Sequence, residues 1–220
     1  MRSTGNTKTV PILLVALMIL ASWVIPSQAV DVRTMEKQEL SEEETRGIIL
    51  MREEEKLARD VYLELGEKWN IRTFFNIAES EGKHMDEMGT LIAKYGLEDP
   101  AANDARGIFT SHEMRKLYDD LLARGSKSLL DALIVGAEIE DLDIADLESL
   151  LENTDNDDVR LVYLNLTKGS RNHLRTFSGQ IGKRGGTYEA RHITEKMYKS
   201  IVGSPKEQGE ITDPAFKFAY

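Results

Sequence analysis

The chain has 220 residues, 41% of them hydrophobic and 30% charged, enough for one domain with a sizeable core plus some tail. A formal net charge of −10 argues against nucleic acid or an anionic membrane surface as a partner. Cysteine is absent, which excludes disulfides, thiolate metal sites and a thiol nucleophile.

Residues 1–29 have the order of a secretory signal peptide. A short basic start with Arg2 and Lys8 leads into the apolar run "TVPILLVALMILASWVIP", and "SQA" closes it with small residues at Ser27 and Ala29. Cleavage after Ala29 is expected, so that the mature chain begins at Val30. The other reading is an uncleaved anchor, since the run is near the lower length limit for a spanning helix, and a membrane is a partner only then. Both predict an extracytoplasmic location: secreted, periplasmic or cell-surface.

The mature chain reads as helix after helix. The first, within "SEEETRGIILMREEEKLARDVYLELGEKW", opens with Ser41 and Glu44 at capping-box spacing. Its stripe runs Ile48, Met51, Glu55, Ala58, Tyr62, Leu65. A short turn near "NIR" leads to a second helix over roughly 73–95, stopped by Gly96. A connection of about 30 residues comes next, carrying a short helix near "SHEMRKLYDDLLARG" that ends at Gly125. The third long helix has the stripe Leu129, Leu133, Gly136, Glu140, Asp143, Leu147, Leu150. The fourth begins near "DNDD" and runs to the glycines around Gly185, with Val159, Val162, Leu166, Gly169, His173 and Thr176 on one face. Beyond it, periodicity weakens; a short helix around "ARHITEKMYKSIV" and a mostly loose end are expected. The domain plan is therefore a helical bundle over 41–184 and a partly helical tail over 185–220.

Short turns make helices one and two antiparallel, and likewise three and four; a connection as long as 96–127 can return along the molecule and make two and three parallel. The expected fold is all-α, a ferritin-like four-helix bundle with one long crossover. Each stripe also carries a polar interruption: Glu55 in the first helix, Glu81 and His84 in the second, Glu140 and Asp143 in the third, His173 in the fourth. Charged groups are rarely buried without a partner, and a metal ion is one such partner. The ferritin-like di-metal template takes one Glu from each of two helices and a Glu-x-x-His pair from each of the others, the i, i+3 spacing aiming both side chains at one ion.

The segments "EKLARDVY", "SEGKHM", "IEDLDIADLE" and "GSRNHLRTF" together resemble the ferritin-like family of unknown function that is distantly similar to rubrerythrins, over roughly residues 45–182. The resemblance implies Glu55 as the ligand of the first helix and Glu81 with His84 as the pair of the second. It further implies Glu140 from the third helix and His173 from the fourth. One position departs: the second Glu-x-x-His would need a Glu at 170, where this chain has Ser170. Asp143, one turn beyond Glu140, could restore the missing carboxylate; otherwise the site holds a single metal, or none. Lacking cysteine, the chain also lacks the thiolate iron centre of full rubrerythrins.

Each candidate has a plainer alternative. Glu81 and His84 could form a buried hydrogen-bonded pair, and His173 a satisfied core histidine. Glu55 lies in the run "REEEKLARD", and such runs usually form a solvated face, with Glu54 the nearest rival. Glu138 is the rival of Glu140. His112 and His192 read as surface residues. Carboxylate and imidazole ligands suit iron or manganese, and zinc less distinctively. Two such ions about 3.5–4 Å apart would suit oxygen or peroxide as partners. The leading expectation is an extracytoplasmic ferritin-like protein that binds one or two metal ions and oxidises Fe(II) or reduces peroxide. A non-enzymatic bundle with a buried polar network, and metal storage or delivery without turnover, stay open, as does a homo-oligomer.

Overall fold

The computed structural model describes residues 30–220, so the expected signal peptide and its cleavage site lie outside the described residues. Six α-helices, and no strand, occur among those residues: α1 Glu42–Trp69, α2 Arg72–Tyr95, α3 His112–Gly125, α4 Leu129–Glu152, α5 Asp157–Gly182 and α6 Glu195–Gly203. None of the described helices is long and apolar enough to cross a membrane.

Helix ends follow local chemistry. At the start of α1, the Glu44 amide donates to Ser41 Oγ and the Ser41 amide donates to Glu44 Oε2, the reciprocal capping box. Asn70 stops α1 in the left-handed region (φ 52°), a conformation its short polar side chain tolerates, and only Ile71 separates it from α2. Gly96 (φ 71°) ends α2. Gly125 is the last residue of α3 for a different reason: a Cβ there would lie 2.8 Å from Leu65 Cδ1, so the glycine lets α3 press onto α1. The fourth long helix stops at Gly182, slightly earlier than expected, and Gly185 then turns the chain at φ 74°.

Contacts between helices give their directions. Gly66 of α1 approaches Phe74 while Glu55 meets His84, so α1 and α2 run antiparallel. Gly136 packs on Phe177 while Asp143 meets Ser170, which makes α4 and α5 antiparallel. Tyr62 reaches Glu140 and Gly47 meets Leu150, so α1 and α4 are antiparallel as well. Ser80 reaches His173 and Tyr95 reaches Asp158, which does the same for α2 and α5. It follows that α2 and α4 run in the same direction, with the long connection and α3 between them.

Side chains of these four helices form two separate apolar clusters. One gathers Leu57, Tyr62, Phe74, Leu133, Leu174 and Phe177 with others. The second holds Ile48, Met51, Met88, Leu91, Leu147 and Leu166 among its members. The polar interruptions fall between them along every helix, so the molecule is layered apolar, polar, apolar. Each buried Leu or Phe contributes about 1.5–3 kcal/mol, so two such layers can support a costly polar one between them.

The segment after α5 carries the expected short helix, α6, and is docked, as is the end beyond it, expected to be mostly loose. Tyr188, Ile193 and Ile201 join the first apolar cluster. Asp141 of α4 accepts from Tyr188 Oη and from the amides of Arg191 and Ile193. Farther on, Glu207 pairs with the buried Arg171 at 2.6 Å.

Candidate metal centre

The polar layer brings five of the six predicted residues together. One ligand atom from each of Glu55, Glu81 and His84 falls within 4.8 Å of the others, and the same holds for Glu81, Glu140 and His173. Glu81 belongs to both clusters. Its Oε2 lies 2.8 Å from His84 Nδ1 and its Oε1 lies 2.9 Å from His173 Nδ1. Glu55 Oε2 lies 3.2 Å from the His84 nitrogen, and Glu140 Oε2 lies 3.5 Å from that of His173. The arrangement is nearly symmetric, with two imidazoles either side of one central carboxylate and ring centroids 5.7 Å apart.

These groups are almost wholly withdrawn from water, Glu55, Glu81 and Glu140 being 2% exposed. Yet Glu55 Oε1, Glu81 Oε1 and His173 Nδ1 have no hydrogen-bond partner: the close approach of His173 to Glu81 is off the geometry of a hydrogen bond. Buried acceptors without donors cost about 1–3 kcal/mol each. Oxygens and a ring nitrogen converging without bonding one another are what a cation would satisfy, so the residues fit a metal ion.

The electrostatics say the same. Burial alone would raise the Glu81 pKa, but the flanking His173 and His84 outweigh it and pull the carboxyl down to about 2. Burial would lower His173; Glu81 and Glu140 overcome it and push the imidazole up to about 10. His84 is raised in the same way, by Glu55 and Glu81 against burial. Glu140 rises to about 7, through burial and then the charge of Glu81. Glu55 is raised chiefly by burial. The field that would hold protons on both Nδ1 atoms would equally hold a cation in their place.

Asp143 is buried nearby but belongs to neither cluster. Its Oδ2 is hydrogen-bonded by Ser170 Oγ, which also lies 3.0 Å from the Leu166 carbonyl. The two rivals are excluded from both clusters. Glu138 is engaged by Arg124 and Arg191, and the carboxyl of Glu54 faces Asp146. His112 and His192 are exposed, as expected.

Three supporting residues escaped the sequence reading. Tyr62, fully buried, donates from its hydroxyl to Glu140 Oε1 at 2.5 Å. Ser80 Oγ lies 3.1 Å from His173 Nε2, which orients the ring so that Nδ1 faces the carboxylates. Gly169 makes room for His84, since a Cβ there would lie 2.5 Å from the ring. Tyr62 and Gly169 sat on the expected stripes and read as core; Ser80 acts across helices and carries no local signal.

Known proteins are similar to this one over most of the chain. A curated relative, uncharacterized protein MJ0754 of Methanocaldococcus jannaschii, is 50% identical over 178 residues, covering 81% of this chain and 96% of the relative. The crystal structure of hypothetical protein MJ0754 from Methanococcus jannaschii matches with a TM-score of 0.78 at 50% identity, over 79% of this chain and 99% of that one. A family profile for the uncharacterized protein domain DUF2202 matches residues 44–205, from the first turn of α1 to just beyond α6. The chain belongs to the DUF2202 family.

Proposed function

We propose that this is a ferritin-like metal protein that works outside the cytoplasm, holds up to two iron or manganese ions in its polar layer, and acts on Fe(II) with oxygen or on peroxide. The sharing of Glu81 supports this most directly: one carboxylate turns a different oxygen toward each of two histidine nitrogens. Antiparallel neighbours, a parallel diagonal and one long connection are the helix directions of the ferritin-like arrangement.

Glu55, Glu81 and His84 would hold one ion and Glu81, Glu140 and His173 a second, each histidine through Nδ1. Tyr62 holds Glu140, and Ser80 holds His173, so both ligands stay in place. Asp143 supplies a fourth carboxylate beside them, and four carboxylates offset two divalent ions while the histidines stay neutral. The apolar clusters on either side keep bulk water away. A bound iron or manganese would supply one-electron redox chemistry.

The test is anaerobic loading with Fe(II), followed by oxygen or peroxide. Protein-bound Fe(II) is expected to oxidise faster than free Fe(II) under the same conditions, and the zinc-loaded protein to be inert. Binding without acceleration would leave storage or delivery. Ser170 favours a second reading: a hydroxyl stands where the di-metal pattern has a carboxylate. On that reading, imidazolium rings between carboxylates form a buried polar network in a structural or interaction module, and no metal is retained.

A further inference from the structure

Two cavities reach the cluster residues. One opens between α2, α5 and the tail, along the outer edges of His84 and His173, and Lys168 and Lys206 line it. The other lies between α1, α3 and α4, encloses about 90 Å³, and runs down to Glu55, Glu140 and Asp143 beneath an apolar roof that includes Leu117 and Leu121. Glu87 and Glu210 line the first cavity too, but its two lysines offset them, which makes it the poorer path for a cation. In the second, the polar wall is carboxylate.

Glu54 lies on that wall. The residue is only 8% exposed, yet its Oε2 is buried with no hydrogen-bond partner. Its carboxyl faces that of the half-buried Asp146, and the exposed His192, which also lines the cavity, acts on Asp146 from the rim. Glu138 also lines the cavity but is occupied by Arg124 and Arg191, which leaves Glu54 as the lining acid outside the clusters that is free to bind, with Asp146 next to it behind the wall. The volume suits a cation that keeps a few of its waters.

We propose that this cavity is the loading route of the two clusters, and that Glu54 and Asp146 form a transit site that takes a divalent cation arriving past His192 and passes it to Glu55 and Asp143. The inference rests on the metal-holding reading above. A transit site has a kinetic role: it raises the local cation concentration at the mouth without adding a ligand to the final site.

The test is the rate at which the full-length, chelator-stripped protein takes up Co(II), followed by absorbance, together with the amount held at equilibrium. Glu54→Gln and Asp146→Asn are expected to load about tenfold more slowly and to reach the wild-type stoichiometry. Their rates should also depend less on ionic strength. Glu210→Gln, on the opposite cavity, is expected to load at the wild-type rate. Wild-type rates in both acid variants would overturn the route alone. Slower loading with reduced stoichiometry would overturn it too, by making these acids ligands of the final site. A wild-type protein that takes up no Co(II) would remove the metal reading and the route with it.

Discussion

Glu55 and Lys56 are neighbours in sequence, both buried, and their charges are met in opposite ways. Lys56 Nζ pairs with Asp60 at 2.5 Å and donates to the Ala105 carbonyl, while Asp60 also accepts from Arg59 and from the Gly107 amide. That cluster has a donor for every acceptor, and none of its atoms is orphaned. It clamps the long connection onto α1. One step along the chain, Glu55 belongs to a pair of linked clusters with carboxylates in excess and three polar atoms unpartnered between them. Burial of charge alone therefore does not mark a site. Unmet valence does.

The largest effect expected from this contrast is on stability. Asp60→Ala removes the acid that Lys56, Arg59 and the Gly107 amide share, and leaves a buried ammonium uncompensated. The loss should be about 3–5 kcal/mol by chemical denaturation, with unchanged metal content per folded chain. A loss below about 1 kcal/mol would mean the clamp is dispensable.

Gly169→Ala should do the reverse, harming the site more than the fold. The added methyl would sit 2.5 Å from His84 Cε1 and Nε2, so the ring must turn away from Glu55 and Glu81. Helix propensity favours alanine by about 1 kcal/mol, so chelated protein should melt close to wild type while metal titration shows weakened binding. Unaltered binding would mean that the orientation of His84 is irrelevant.

The smallest effect is a pH slope in chelator. Glu140 is raised from 4.5 to about 7 and His173 from 6.5 to about 10, so both hold protons more tightly in the folded state. The stability they contribute is complete below their unfolded pKa values and is lost as pH rises through about 7 and then about 10. Glu81 acts in the opposite sense, contributing above 4.5 and losing its share as pH falls toward about 2. Chelated protein should melt at a lower temperature at pH 9 than at pH 6, and bound metal should reduce the decline by taking the place of the protons. A flat or rising profile in chelator would contradict this charge balance in the polar layer.

The parts legible in the sequence were those written within one helix. The i, i+3 spacing of Glu81 and His84 and the Ser41–Glu44 capping box need no knowledge of neighbouring helices, and the stripe interruptions located the polar layer. The run "REEEKLARD" was legible only at Glu55, which the stripe marked. Such runs usually face solvent, yet Glu53, Glu54, Glu55, Lys56 and Asp60 are all buried, because the long connection and α3 cover that side of α1. Glu53 accepts from the amides of Thr110 and Ser111, at the start of α3. Its role depends on where a segment more than fifty residues away comes to lie. The same holds for Ser80 against His173, and for the choice between Glu54 and Glu55, which differ by one position and face different groups.

The central claim is that the polar layer holds metal through Glu81, and metal content tests it most directly. Wild type, Glu81→Ala and Glu79→Ala, purified from one metal-replete host, should be compared by elemental analysis. Glu79 is exposed and pairs with Lys83, so its variant should match wild type, with up to one ion for each of the two clusters. Glu81→Ala should lose most of the metal, because both clusters share that carboxylate. Equal metal in all three proteins, or none in wild type, would contradict the claim.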